Sequence, residues 1–129
     1  MPSSPHDPAS TPKQSATDAE DLAMYREKFR CRLPGSLDEL HGPTRGVVQL
    51  PLHVAWSGMT SYDLDKPRQR MGLYRTVLHD GLRDDLPRYL DQNLLLQMWP
   101  VLRTLVGRTV RTVWEDAFPQ LAARTQAAA

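Results

Sequence analysis

A mostly α fold is predicted: a small irregular helical domain with a disordered N-terminal tail and at most a minor β element. Three observations predict it. A run near the C-terminus, Leu94, Leu95, Leu96, Met98, Trp99, Val101, Leu102, Leu105 and Val106, is apolar on almost every helical face. A second segment has helical spacing with helix-type punctuation at both ends. Nowhere is there a repeat, a heptad run or an alternating strand ladder. A helix that is apolar all round must be surrounded by protein. The C-terminal run is broken by Gln97, Pro100 and Arg103 and is too short to span a bilayer, which takes about 20 mostly apolar residues. It is therefore either the centre of a small core or a surface that another protein covers.

Residues 1–18 hold Pro2, Pro5, Pro8, Pro12 and four serines, with no large aliphatic side chain after Met1. Such a stretch buries too little apolar surface to offset the entropy of ordering it. It reads as a disordered tail, and without an apolar h-region it is no signal peptide. Residues 19–121 then form one helical domain, about 100 residues being enough for one modest core. Residues 122–129, small and polar, read as a frayed tail.

The first helix is expected from Asp18 to Arg30, with Thr17 or Asp18 as cap and Glu20 and Asp21 in its first turn, where negative charge is favoured. Leu22, Met24, Tyr25 and Phe29 give it an irregular apolar stripe. Pro34-Gly35 stops it. Ser36-Leu-Asp-Glu39 matches a capping box and predicts a short helical turn over 37–41, which Gly42-Pro43 breaks. Over 46–56 two readings compete. Val47, Val48 and Leu50 favour a strand with Pro51 at its edge. Alternatively Pro51 opens a short helix over 51–56 with Leu52, Ala55 and Trp56 inward, and this second reading is preferred. Asp65 reads as the cap of a helix with Pro67 just inside and Gly81 just past its end. Met71, Tyr74, Val77 and Leu78 recur within it at helical spacing. Further helices are expected over 83–90, over 92–106 capped by Asp91 and kinked or split by Pro100, and over 107–117. The last presents Val110, Val113, Trp114 and Ala117 on one face and ends at Phe118-Pro119.

The chemistry is sparse. Net charge is +1 from 16 basic and 15 acidic residues, which gives no general attraction to nucleic acid or membrane. Only Lys13, Lys28 and Lys66 among the basic residues are lysines, so the surface is rich in arginine and suited to bidentate carboxylate or phosphate pairing. One cysteine, Cys31, excludes an internal disulfide, and the cytoplasm is the expected compartment. Cys31 follows a basic run that could lower its pKa, yet a plain thiol at a helix end is the commoner case. His6, His41, His53 and His79 show no metal-ligand spacing with one another or with Cys31. His53 reads as a hydrogen-bonded core or boundary residue. Asp63 with Asp65, and Asp80 with Asp84 and Asp85, sit where helix starts explain them. Ser57, in Ala-Trp-Ser-Gly, is not a nucleophile elbow. No catalytic, cofactor or metal residue is assigned.

Arg68 and Arg75 are seven apart and share a helix face. Arg103, Arg108 and Arg111 share a broad sector if residues 103–111 stay helical. Trp56, Trp99, Trp114, Tyr62, Tyr74 and Tyr89 are many large rings for so small a core, and Trp, Tyr and Arg are enriched at binding hot spots. The residues assigned to a partner surface are Trp56, Tyr62, Arg68, Arg75, Trp99 and Trp114.

Five phrases carry a resemblance: Leu-Pro-Leu-His-Val-Ala-Trp-Ser-Gly (50–58), Tyr-Asp-Leu-Asp-x-Pro-Arg (62–68), Leu-Tyr-Arg-Thr-Val-Leu (73–78), Leu-x-x-Met-Trp-Pro (95–100) and Trp-Glu-Asp-Ala-Phe-Pro-Gln-Leu (114–121). They resemble small bacterial proteins encoded beside AbiE-type nucleotidyltransferase toxins. The resemblance spans a little over half the chain and implies an antitoxin or operon-partner role. The antitoxins of that class carry a winged helix for DNA binding, and this sequence shows none. The expectation is thus a cytoplasmic, non-enzymatic module that binds a partner protein, with a nucleotidyltransferase toxin as its implied partner. The alternative is a small DNA-binding transcriptional regulator using the arginines of 67–80 and 103–117. Salt dependence separates the two, because phosphate contacts weaken steeply with salt.

Overall fold

A computed structural model describes the backbone of residues 6–55 and 59–128, and the side chains of 18–55 and 59–124. The fold is mostly α. Helix α1 (His6–Arg30) leads to a 3-10 turn (Leu37–Glu39) and two short strands, β1 (Val47–Gln49) and β2 (Ser61–Asp63). Helices α2 (Pro67–Asp80), α3 (Asp85–Tyr89), α4 (Gln92–Leu105), α5 (Arg108–Ala117) and α6 (Pro119–Ala128) follow.

Helix α4 is the spine of the core. Leu95, Met98, Trp99 and Leu102 are buried along it, while Val101 and Leu105 of the same run are exposed, so the apolar run is a core element on one face only. Around it pack α6, α2 and the 3-10 turn, while α1 lies on α5 and α5 on α6. Buried residues from Phe29 to Leu121 form one cluster. The caps follow ordinary physical chemistry. The Asp91 side chain accepts the Leu94 N–H at 3.1 Å, satisfying one orphan donor of α4. Pro67 occupies the first turn of α2, where a missing N–H is harmless, and the Gly81 N–H closes the helix on the Val77 carbonyl. The N-cap is Lys66 rather than Asp65. Asp65 instead turns its carboxylate toward the Gly46 N–H, at 3.5 Å.

Several expectations are corrected. Helix α1 begins at His6, well before Asp18. Residues 6–17, read from sequence as tail, are therefore helical, with Pro8 in the first turn where it costs no bond. Residues 1–5 lie outside the described residues. The short helix preferred over 51–56 is not formed. Leu50 donates its N–H to the Thr60 carbonyl at 2.7 Å, which extends the strand ladder up to Pro51. The Pro51 carbonyl then accepts from Val54 and Ala55, a single turn and no more. Leu52 is exposed rather than inward, and Trp56 lies outside the described residues. The strands pair antiparallel with Val48 opposite Tyr62, both buried, as period-two geometry requires.

Pro100 neither splits nor ends α4. It carries no N–H, so the Leu96 carbonyl lacks its usual donor. Arg124 supplies one, its Nε donating to that oxygen at 3.2 Å. Arg124 belongs to α6, which replaces the frayed tail expected from 122. Among the described residues, no helix is long and apolar enough to cross a membrane.

Candidate partner-binding groove

Two turns of α2 set out the site. Residues 68, 72, 75 and 79 recur at helical spacing, so Arg68, Gly72, Arg75 and His79 lie along one stripe. All four line a groove of about 660 Å³. Its opposite side comes from distant parts of the chain, Val54 and Ala55 of the 51–55 turn, Met59, and Leu105 and Gly107 at the end of α4. The floor is fixed by Tyr62. Its hydroxyl and the Thr76 hydroxyl lie 3.3 Å apart, and its ring edge stands against Gly72 so closely that a Cβ there would come within 3.3 Å. Gln69 holds the strand beside it by accepting the Asp63 N–H at 2.7 Å.

The charge of the groove comes from arginine. Arg68 and Arg75 are exposed and make no ion pair among the described residues. Asp80, also on the wall, sits 3.7 Å from its neighbour His79. Met59 and Leu105 are exposed apolar side chains on the rim. The groove therefore offers two unpaired planar donors, about 10 Å apart along the helix axis, beside apolar surface.

Tyr62, Arg68 and Arg75 are brought together here, as three of the six assigned residues. Trp99 and Trp114 are not, because both are buried in the core and present no ring to a partner. Trp56 lies outside the described residues. Trp99 Nε1 donates to Glu115 Oε2 at 2.8 Å, and Arg103 Nε donates to the same oxygen at 2.8 Å. Burial pushes the Glu115 carboxyl up, but the Arg103 and Trp99 hydrogen bonds outweigh it and hold the pKa below the usual range. Glu115 in turn holds the Arg103 guanidinium above its ordinary value. Arg103 thus serves an internal pair. It does not extend a patch with Arg108 and Arg111, since the chain breaks at Val106-Gly107 between α4 and α5.

The remaining candidates have structural explanations. Asp85, buried, accepts the Leu82 N–H at 2.9 Å and lies 2.8 Å from His53 Nε2. His53 is thus hydrogen-bonded as expected, but it is exposed rather than a core or boundary residue. Cys31 is exposed, and its pKa is raised, chiefly by its hydrogen bond to Glu27, with burial adding to that, so the basic run does not activate it. Among the described residues, no group of three or more His, Cys, Asp or Glu side chains is placed to hold a metal ion. Gly72 and His79 escaped the sequence reading, although their spacing from Arg68 and Arg75 carried the signal. Leu105, Val54 and Ala55 had none, because only tertiary packing brings them to the groove.

No protein-family model, curated protein or solved structure matches this chain.

Proposed function

We propose that the chain is a non-enzymatic protein-interaction module and that the α2 groove receives its partner. The observation that carries this reading is the pair of unpaired arginines, Arg68 and Arg75, on one wall of a groove rimmed by exposed Met59 and Leu105. Guanidinium groups recognise carboxylates bidentately, and the apolar rim adds burial that phosphates would not use. The partner class suggested by the aromatic-proline phrases is an AbiE-type nucleotidyltransferase toxin, which gives the protein an antitoxin role in the cytoplasm.

The test is co-purification with a nucleotidyltransferase encoded beside the gene, using the full chain and the Arg68→Ala/Arg75→Ala variant. Capture by the full chain that persists in high salt and drops at least tenfold in the variant supports the reading. Equal capture by both removes the groove from the interface. Specific retardation of the protein's own promoter DNA, steep in salt and lost in the variant, would assign the arginines to phosphates and the chain to transcriptional regulation.

A further inference from the structure

Helix α1 carries the complement of this groove. Glu20, Met24 and Glu27 are all exposed, Met24 at 71%. They are spaced four and three apart and so form one ridge. That ridge points away from the core, because Phe29, the buried residue among the described side chains of α1, lies on the opposite side of the helix. The groove wall has the same spacing with opposite charge: Arg68, Gly72 and Arg75 are also four and three apart. In both triplets the charges are seven residues apart, about 10 Å along the axis. Between the glutamates stands a long flexible apolar side chain, and between the arginines a residue with no side chain at all.

We propose that a second copy of this chain occupies the groove, its α1 lying parallel to α2 with Glu20 on Arg68, Met24 over Gly72 and Glu27 on Arg75. The Met24 side chain then rests on the floor formed by Gly72 and the Tyr62 ring, beside Met59 and Leu105 of the rim. Thioether–aromatic contact suits such a floor. The parallel direction gives the better register, because reversing one helix keeps both charge pairs but puts Met24 one residue out of step with Gly72. Neither glutamate has an ion-pair partner among the described residues, so docking gives up no existing salt bridge; Glu27 gives up only a long contact with the Cys31 thiol, at 3.5 Å. Self-association would cover the same α2 groove that receives the proposed partner, so partner and second copy would compete. The inference rests on that groove being a docking surface, but its test uses the purified chain alone and stands or falls without any partner.

The experiment is sedimentation of the full chain at low and high ionic strength, about 0.01 M and about 1 M, where charges act over about 30 Å and about 3 Å respectively. The chain should show about twice the monomer mass at low salt and the monomer mass at high salt. Glu20→Arg/Glu27→Arg and Arg68→Glu/Arg75→Glu should each be monomeric at both. All four positions are exposed, and helical circular dichroism checks that each variant is folded. Mixing the two variants should restore the doubled mass, because the charges are complementary again. A wild-type chain that stays monomeric at low salt overturns the proposal. So does a dimer that survives either reversal, or a mixture that fails to re-form it.

Discussion

Glu115 couples the interior of this protein to pH. Its carboxylate accepts from both Trp99 and Arg103, so one residue satisfies a buried indole and a cation together. Its folded pKa is depressed, so the stability it contributes is present above the unfolded glutamate value of about 4.3 and is lost as pH falls through the lower folded value. Glu115→Gln should flatten the acid limb of a stability-versus-pH curve measured by denaturant unfolding. Tyr74 acts at the other limit. Burial is the main reason that its hydroxyl is pushed up to about 12. A raised pKa stabilises fully below the unfolded value of about 10 and fades as pH rises toward about 12. Tyr74→Phe should remove that alkaline loss, while leaving the Asp91 N–H without the hydroxyl that now accepts it at 2.8 Å. At Trp99, wholly buried, replacement by Ala should cost about 3–5 kcal/mol in chemical denaturation. Trp99→Phe should cost less, since Arg103 still holds Glu115.

The elements differ in how much local chemistry defines them. The loop after the 3-10 turn is stitched to the end of α3: the Gly42 N–H donates to the Leu90 carbonyl at 2.7 Å, and the Gln92 N–H donates to the Leu40 carbonyl at 3.2 Å. A Cβ on Gly42 would fall 2.5 Å from the backbone carbon of Tyr89. Gly42→Ala should therefore force backbone apart and destabilise by about 1–3 kcal/mol in thermal or denaturant melts. Helices α2, α4 and α5 were legible in the sequence because Pro67, Gly81, Asp91 and Phe118-Pro119 mark their ends by mechanisms that operate locally. The hairpin was half legible. Val47 and Val48 favour extension, but β2 (Ser61–Asp63) is too short to show alternation and is a strand only because β1 lies beside it. Helix α6 was read as a tail because one buried residue among its described side chains, Leu121, commits it to the core. In the groove, Arg68 and Arg75 were legible from spacing. For Trp99 and Trp114, candidates for a partner surface, composition does not say which rings a core of this size can enclose, and both are buried in it.

At the scale of the molecule, the folded body is organised around a helix with a defect. Proline at position 100 leaves the Leu96 carbonyl of α4 unmatched, and the guanidinium of Arg124, on the last helix, fills the vacancy. The consequence concerns cooperativity. Helix α6 cannot lift away without breaking that bond and uncovering Leu121, so α4 and α6 should open as one unit although α5 separates them in sequence. Native-state hydrogen exchange reads this directly. Slow amides of α4 beyond Pro100 and those of α6 around Leu121 should share one opening free energy, as members of a single foldon. With Arg124→Met, which keeps the aliphatic stem and removes the donor, the α6 amides should exchange faster than those of α4. Equal protection in that variant would mean that packing at Leu121 alone couples them.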